Sequence, residues 1–248
     1  MTFGIKSATS ATCIFSSELN GLIYACNLVN ANIQNDLDDL LIQGDHLDGF
    51  DDSRVTTVRS NATQIQFLPS SILSRFSSAS QLLLTHVQLS QITERNLASC
   101  NQLGQINFNN NALRVIQTGT FRQCGRLRDL QLGNNQIMEI QDDAFLGLGS
   151  LTGLHLDNNV LSEVRPNMFR HMNSLTSLWL FGCRISTVAP NAFDGLGLLR
   201  SLDLGRNTLT SLDVTVFNVL TNLQHLRVDG NRLISINFQG AQLNNLQR

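Results

Sequence analysis

The sequence is dominated by a 24-residue repeat that runs through eight consecutive copies without an insertion or a deletion. The unit reads L-x-x-L-x-L-x-x-N-x-L, with further apolar residues at positions 14 and 19. A fixed period of this kind is typical of solenoids, in which each unit buries its apolar face only by stacking on its neighbours. The register therefore also predicts which side chains face solvent. The copies begin at Val55, Ala79, Leu103, Leu127, Leu151, Leu175, Leu199 and Leu223.

Positions 4 and 6 of the repeat are apolar and alternate with positions 3, 5 and 7, which is the periodicity of a β-strand. Stacked copies would bring these strands into one parallel sheet. The asparagine at position 9 suits a buried turn, because its side chain can bond backbone groups of adjacent coils. Cys183 takes this place once and offers a weaker thiol donor. The phenylalanines at position 19 predict a stacked row across the core, made of Phe121, Phe145, Phe169, Phe193 and Phe217.

The repeat resembles the extracellular, 24-residue class of leucine-rich repeat proteins, to which Toll-type ectodomains and small leucine-rich proteoglycans belong. The segment before it, with Cys13-Ile14-Phe15, Tyr24-Ala25-Cys26 and residues 42–47, resembles the cap of secreted insect leucine-rich repeat proteins. The resemblance implies an α/β, horseshoe-shaped solenoid with a parallel β-sheet on its concave face. Its convex side would be mostly irregular, with 3-10 or short helical turns. We expect an N-terminal cap over residues 1–54 and eight repeats over residues 55–248, without a C-terminal cap.

Five cysteines bear on the compartment. Cys13 and Cys26 lie in the cap, where we interpret them as a disulfide of an oxidising compartment. Two free thiols in a cytosolic cap are the alternative. Cys100 and Cys124 both fall at position 22 of consecutive repeats, a separation that a disulfide allows. Small buried hydrophobic residues suit this position equally well, so both interpretations stay open. Cys183 is left without a partner.

Asn61-Ala62-Thr63 is the one N-x-S/T sequon, and it predicts glycosylation of Asn61. Asn61 falls at position 7, at the end of the first predicted repeat strand. A glycan there would shield the N-terminal part of the concave face and direct binding toward later repeats.

Composition and spacing limit the other classes of partner. No apolar stretch approaches the length of about 18 residues that spans a bilayer, and no signal peptide is visible. The arginines of the repeats are spread around the unit, which gives nucleic-acid binding little support. The aspartates between Asp36 and Asp52 lack the ligand order of a calcium-binding loop, and no cysteine pair has zinc-site spacing. We therefore expect no metal, no cofactor and no nucleic-acid partner.

The register places the single tryptophan, Trp179, on the outer face of the sheet, with Phe181 two residues later. An exposed aromatic pair surrounded by charge is typical of a binding hot spot. The alternative is that Trp179 packs on its neighbours for stability, but Gly153 and Ser177 should leave it little to pack against. The predicted ligand-binding residues on the concave face are His155, Asp157, Trp179, Phe181, Asp203, Arg206 and Arg227.

Catalysis is not expected, because no nucleophile is placed beside His155 and an open sheet excludes little water. The leading hypothesis is a secreted, non-enzymatic recognition protein that binds on its concave face, in innate immunity or cell-surface signalling. Its ligand would be a protein, or a glycan or lipid of a microbial surface. An extracellular structural protein that self-associates through its C-terminal coil, where Leu243 and Leu246 would be exposed, is one alternative. An intracellular adaptor is the other.

Overall fold

The computed structural model describes residues 9–19, 22–33, 40–61, 63–241 and 243–247. The fold is built on an eleven-stranded sheet to which the cap and every repeat contribute, and the expected parallel-sheet solenoid is confirmed. Three aspartates of the acidic segment, Asp36, Asp38 and Asp39, lie outside the described residues, as does Ala62 of the sequon.

The cap is a β-structure that continues the sheet of the repeats. Its strands are β1 (Thr9–Glu18), β2 (Ile23–Val29), β3 (Asn32–Ile33) and β4 (Leu40–Gln43). β1 and β2 are antiparallel, and β4 lies parallel to β1 at the edge of the sheet. β2 also pairs in parallel with the first repeat strand at residues 57–60. The sheet therefore runs from the repeats into the cap without a break.

The repeats contribute one strand each to this sheet, and several contribute a second strand of two residues. In chain order they are β5 (Thr57–Ser60), β6 (Gln64–Ile65), β7 (Gln81–Leu84), β8 (Gln105–Asn107), β9 (Val115–Ile116), β10 (Asp129–Gln131), β11 (Glu139–Ile140), β12 (Gly153–His155), β13 (Glu163–Val164), β14 (Ser177–Trp179), β15 (Thr187–Val188), β16 (Ser201–Asp203) and β17 (His225–Arg227). In the large sheet each residue of a repeat strand lies beside the residue 24 positions later.

The rest of each coil is mostly irregular, as expected. The two-residue strands pair as β3 with β6, β9 with β11 and β13 with β15. Within the described residues the helical segments are α1 (Ser71–Arg75) and the 3-10 turns Asp52–Arg54, Cys100–Gln102 and Val214–Phe217. Because these segments are short, packing between coils rather than helix propensity holds the convex side.

The core lies between the sheet and the row of phenylalanines, and it contains the apolar positions of every repeat. In the copy that begins at Leu127, six core side chains are at most 1% exposed, namely Leu127, Leu130, Leu132, Ile137, Ile140 and Phe145. The predicted phenylalanine row is confirmed. Successive ring centroids from Phe121 to Phe217 are 6.0 to 6.5 Å apart, and their planes differ by at most 20°.

The asparagines at position 9 bond the backbone of adjacent coils, as predicted. The Oδ1 atom of Asn159 accepts from the N–H of Ile137 at 2.9 Å, and its Nδ2 atom donates to the carbonyls of Leu132 (3.0 Å) and Leu156 (2.8 Å). Such bonds satisfy backbone groups that water cannot reach. At the one cysteine, the Sγ atom of Cys183 donates to the same Leu156 carbonyl, at 3.0 Å.

The backbone is left-handed at position 8 in each copy from the second to the eighth, with φ between 49° and 68°. Glycine or asparagine occupies most of these positions, as this conformation favours. A second left-handed residue follows in two copies that lack the asparagine: Gln88, after Val87, and Arg184, after Cys183, with φ of 65° and 68°. Loss of the ladder asparagine is thus accompanied by a different turn.

Four of the five cysteines are paired. Cys13 and Cys26 form a disulfide with their Cα atoms 5.3 Å apart, as interpreted from the sequence. Cys100 and Cys124 form a second one with a Cα separation of 5.1 Å, which decides between the two interpretations of position 22. Cys183 is unpaired and fully buried.

A chain of hydrogen bonds fastens the cap to the first repeat. The hydroxyl of Tyr24 lies 2.9 Å from Nδ1 of His46, and Nε2 of His46 lies 2.9 Å from Oδ1 of Asp52. The Nε atom of Arg75 donates to the second carboxylate oxygen of Asp52 at 2.9 Å. These four side chains come from β2, the loop after β4, a 3-10 turn and α1, so the cap is held at several points.

Candidate functional site

The concave face consists of the side chains at positions 3, 5 and 7 of the repeats, on the outer side of the large sheet. Within the three-residue repeat strands from β8 to β16, the central residue is buried and the two flanking residues are half-buried. This alternation follows from the pleat of a strand, which directs successive side chains to opposite faces. The register used to place the candidates of positions 5 and 7 on this face therefore holds, whereas Arg206, at position 8, lies in the turn after β16.

The centre of the concave face is a stacked pair formed by His155 on β12 and Trp179 on β14. Their ring centroids are 3.9 Å apart and their planes differ by 12°. The two residues are direct neighbours in the parallel register. The expectation that Trp179 has little to pack against is therefore wrong, because the imidazole supplies the partner that Gly153 and Ser177 do not. Trp179 is half-buried, and stability and binding become compatible roles for it.

Phe181 carries a cation over its ring. The guanidinium carbon of Arg206, one repeat later, lies 5.3 Å from the phenyl centroid. Phe181 is half-buried and Arg206 is exposed. An arginine at this distance from an aromatic face is attracted by the ring quadrupole. The sequence placed these two residues on one surface, and the structure brings them into contact.

Asp203, Arg227 and Asp229 form a charged group at the C-terminal part of the concave face. Arg227 lies 3.5 Å from the carboxylate of Asp203 and 3.2 Å from that of Asp229. The hydrogen bond that Arg227 donates to Asp229 raises the pKa of Arg227, and the charges of both aspartates add to this effect. Asp203 also accepts from the N–H of Gly205 at 2.8 Å. The charges of these residues are thus largely directed at one another.

His155 lies between the carboxylates of two aspartates, and only one of them, Asp157, is among the ligand-binding residues predicted from the sequence. Its Nδ1 atom is 4.0 Å from Asp157, and its Nε2 atom is 3.8 Å from Asp129. Burial holds the pKa of His155 below its usual value, although the charges of the two aspartates oppose this lowering. Asp129 was missed because it belongs to position 3 of the preceding repeat. The sequence signal for Asp129 is Gly153, which occupies position 3 of the following repeat and leaves room for the carboxylate beside it.

Hydrogen-bonded amides occupy much of the preceding part of the concave face. The Nε2 atoms of Gln105 and Gln131 donate to the carboxylate of Asp129 at 2.9 and 2.7 Å. The amide of Gln81 donates to Gln105 at 3.1 Å, and the hydroxyl of Thr57 donates to Gln81 at 3.1 Å. This row satisfies its own polar groups, whereas the aromatic pair lies beyond its end.

The sequon residue lies beside a cavity of about 320 Å³ at the N-terminal end of the concave face. Asn61 is exposed and lines this cavity together with Arg59 and Leu83. Arg59 is directed by hydrogen bonds to Asn27 and Glu18. Glycosylation of Asn61 stays a prediction, and a sugar at this position would stand over the cavity rather than over the aromatic pair.

Within the described residues, no three histidine, cysteine or acidic side chains are grouped closely enough to hold a metal ion. In the same part of the chain no helix has both the length and the apolar character needed to cross a membrane. His155 contacts an indole and two carboxylates rather than a nucleophile.

Two family profiles match the chain. The profile described as Leucine rich repeat matches residues 125–185 and 180–233. The profile described as BspA type Leucine rich repeat region (6 copies) matches residues 20–151, which is more than half of the sequence. No curated protein matches the chain significantly.

Solved structures of the same architecture are similar over most of this chain. The LRR protein LIC12759 of Leptospira interrogans has a TM-score of 0.68 at 21% identity, over 84% of this chain and 52% of that one. The LRR ectodomain of the plant membrane receptor kinase GASSHO1/SCHENGEN3 from Arabidopsis thaliana, in complex with CASPARIAN STRIP INTEGRITY FACTOR 2, has a TM-score of 0.64 at 25% identity, over 79% and 24%.

The complex of TLR13 with ssRNA13 is a third such structure, with a TM-score of 0.59 at 24% identity, over 78% of this chain and 32% of that one. The chain therefore spans between about a quarter and about half of the length of these three proteins. These likenesses establish the solenoid architecture.

Proposed function

Because this chain belongs to the leucine-rich repeat family, whose members generally serve as recognition scaffolds, we propose that it is a non-enzymatic recognition protein whose partner binds the concave face. Neighbouring structures of this fold include a complex with an RNA and a complex with CASPARIAN STRIP INTEGRITY FACTOR 2. For this chain we favour a protein partner, because its central concave face combines aromatic rings with charge.

The observation that carries this proposal is the pair of aromatic contacts on β14 and the turn after it. Trp179 stacks on His155, and Phe181 lies under Arg206. Tryptophan and arginine are the residues most enriched among binding hot spots. Each ring is held by a neighbour in advance, which lowers the entropy cost of fixing it in a complex. The amide row toward the N-terminus offers no comparable apolar area.

An extracellular location is the second part of the proposal. It is supported by two disulfides, because such bonds persist in oxidising compartments and are rare in the cytosol. The sequon at Asn61 agrees with it. An extracellular recognition protein of this fold would act in innate immunity or in cell-surface signalling, and its ligand would be a protein or a microbial surface molecule.

The test is a pull-down from the extracellular fluid of the source, with the wild-type protein and a Trp179→Ala/Phe181→Ala double variant. We expect the double variant to lose the partner while remaining folded by circular dichroism. Thr85→Ala is a matched control, because Thr85 is half-buried on the same face but lies several repeats away. Equal capture by the wild type and a folded double variant would contradict the proposal.

Self-association through the C-terminal coil is a second candidate, supported by apolar exposure there. Ile234 is 99% exposed and Phe238 is 39% exposed. A second copy of the chain would cover these side chains and the half-buried Leu233 beside them. Light scattering over a range of concentrations tests it, with Ile234→Ser/Phe238→Ser as the comparison. A constant monomer mass for the wild type would exclude this candidate.

A further inference from the structure

The charges around the His155–Trp179 stack are unbalanced. Four aspartates carry negative charge on this part of the concave face. Two of them, Asp203 and Asp229, are bound by Arg227. Among the described residues, the ion pairs of Asp129 and Asp157 are with His155 alone, at 3.8 and 4.0 Å. The carboxylates without a permanent cation are therefore the two that flank the aromatic stack.

His155 does not supply the missing positive charge near neutral pH. Its ring is packed against the indole of Trp179, and burial lowers its pKa, so the neutral imidazole is favoured. Asp129 accepts hydrogen bonds from the neutral amides of Gln105 and Gln131, which orient its carboxylate but leave its charge in place. The stack is thus bordered by two negative charges on the side of β10 and β12.

Two glycines are in close contact with these carboxylates. A Cβ atom at Gly133 would lie 2.9 Å from Oδ1 of Asp157, which is closer than such contacts normally occur. A Cβ atom at Gly153 would lie 3.3 Å from Oδ1 of Asp129 and 3.8 Å from the indole of Trp179. A side chain at either position would displace a carboxylate, so the two glycines allow Asp129 and Asp157 to lie close to the sheet beside the stack.

The same surface already contains an example of the contact that would complete this site. In the turn after β16, the guanidinium of Arg206 lies 5.3 Å from the centroid of Phe181. Trp179 has a ring that attracts cations more strongly than phenylalanine. It has nearby carboxylates as well, and among the described residues these carboxylates form ion pairs with His155 and not with an arginine.

Resting on the proposed function, we propose that the surface formed by Asp129, Asp157 and the His155–Trp179 stack receives an arginine side chain from a basic segment of the protein partner. A guanidinium is planar, so it can lie against an aromatic surface while its N–H groups donate to a carboxylate in a bidentate manner. The sign of the charge selects a basic segment over an acidic one. Arginine fits both the flat ring and the two carboxylates, whereas lysine offers only a point charge.

The test uses the intrinsic fluorescence of Trp179, which is the single tryptophan of the chain. The probe is the peptide acetyl-Gly-Arg-Gly-Arg-Gly-amide, and the control probe carries neutral citrulline in place of each arginine. We expect a saturable fluorescence change with the arginine peptide and none with the citrulline peptide. Asp129→Asn and Asp157→Asn should each weaken binding about fivefold, as for loss of one partly exposed ion pair.

The matched control variant is Asp229→Asn, which removes the same charge from a carboxylate that Arg227 already occupies. It should leave the affinity for the peptide within about twofold. Circular dichroism and thermal unfolding confirm that each variant is folded. Equal responses to the two peptides, or equal effects of Asp129→Asn, Asp157→Asn and Asp229→Asn, would overturn the inference.

The same variants separate this inference from the proposed function. If the natural partner is lost with Trp179→Ala/Phe181→Ala but retained with both Asp129→Asn and Asp157→Asn, recognition on the concave face stands and the cation site fails. If none of these folded variants loses the partner, both fail. Loss with the aromatic and the aspartate variants, but not with Asp229→Asn, supports both.

Discussion

The imidazole of His155 lies nearly parallel to the indole of Trp179, with the ring centroids 3.9 Å apart. Both rings project from residues that are paired in the parallel register of β12 and β14. Stacked rings on adjacent strands stabilise a sheet as cross-strand pairs do. The contact therefore couples two repeats and at the same time fixes the side chain that we propose as the centre of the binding surface.

Removal of the imidazole should loosen this ring without breaking the fold. In His155→Ala we expect the emission of Trp179 to shift to longer wavelength and the free energy of unfolding to fall by about 1 kcal/mol, because a stacked aromatic contact is lost. Fluorescence and urea unfolding measure the two effects. Ser201→Ala, on the neighbouring strand of the same face, should change neither. An unshifted spectrum would show that the indole does not depend on His155.

Stability should depend on the protonation of His155 in a defined direction. Its pKa in the folded protein lies below the unfolded value, chiefly through burial. The unfolded chain then binds the proton more readily than the folded protein does. The contribution of neutral His155 to the free energy of unfolding is therefore complete above the unfolded pKa and is lost as the pH falls toward the folded pKa. Asp129 on β10 and Asp157 face the ring and oppose this effect.

The measurement is the melting temperature of the wild type and of His155→Gln at pH 7.5 and pH 5. The wild type should lose more on acidification than the variant, in which this titrating group is absent. A larger loss in His155→Gln would contradict the assigned direction.

Restoring the asparagine ladder should stabilise the protein. In Cys183→Asn the new Oδ1 atom can accept from the backbone of the preceding coil, as Asn207 accepts from the N–H of Cys183 at 3.0 Å. We expect a gain of about 1 to 2 kcal/mol in the free energy of unfolding, measured by urea denaturation. Cys183→Ala removes the thiol donor and adds no acceptor, so it should be destabilising. A variant Cys183→Asn that is less stable than the wild type would show that the turn at Arg184 excludes the asparagine.

The reactivity of the cysteines toward a thiol reagent should follow their disulfide pairing. Burial raises the pKa of Cys183 to about 12, so the folded protein should not react with a thiol reagent at pH 8. One thiol should react in urea without reductant, and five after reduction, as the pairing and the cysteine count require. Mass spectrometry of the alkylated chains gives these numbers. More than one reactive thiol in unreduced, unfolded protein isolated from its source would favour an intracellular location.

Substitution by alanine should change the free energy of unfolding by different amounts at two phenylalanines of the same repeat copy. Phe193→Ala removes a fully buried ring from the phenylalanine row and should cost about 3 to 5 kcal/mol of the free energy of unfolding. Phe181→Ala removes a half-buried ring of the concave face and should cost about 1 kcal/mol or less. Urea unfolding measures both variants, and each variant serves as the control for the other. Similar losses for both would place Phe181 among the residues that hold the fold.

The regular parts of the fold could be predicted because the repeat encodes them directly. The burial of Leu130 and Leu132, the bonds of Asn159 and the stacking of Phe145 all depend on one register, which a strict period determines. The cap has no period. The antiparallel pairing of β1 with β2, and the place of β4 at the sheet edge, depend on contacts that are distant in sequence.

The candidate site could be predicted only as a set of residues on one face. The period places His155, Trp179 and Phe181 correctly, but it says nothing about side-chain rotamers. Whether an indole points into solvent or lies on an imidazole depends on the space left by neighbours such as Gly153. Asp129 was missed for the same reason, because its importance comes from its position beside His155 rather than from its own sequence context.

The row of phenylalanines also sets the curvature of the molecule. Its rings repeat every 6.0 to 6.5 Å, whereas strands in a sheet repeat at about 4.8 Å. Across a core roughly 10 Å deep, this difference bends each repeat by about 8° relative to the last, or roughly 30° from Phe121 to Phe217. A sheet opened to such an angle does not enclose a small molecule between its ends. Such a surface could instead contact a large or extended partner along several strands at once, and the affinity of the proposed complex would then come from breadth of contact rather than from depth.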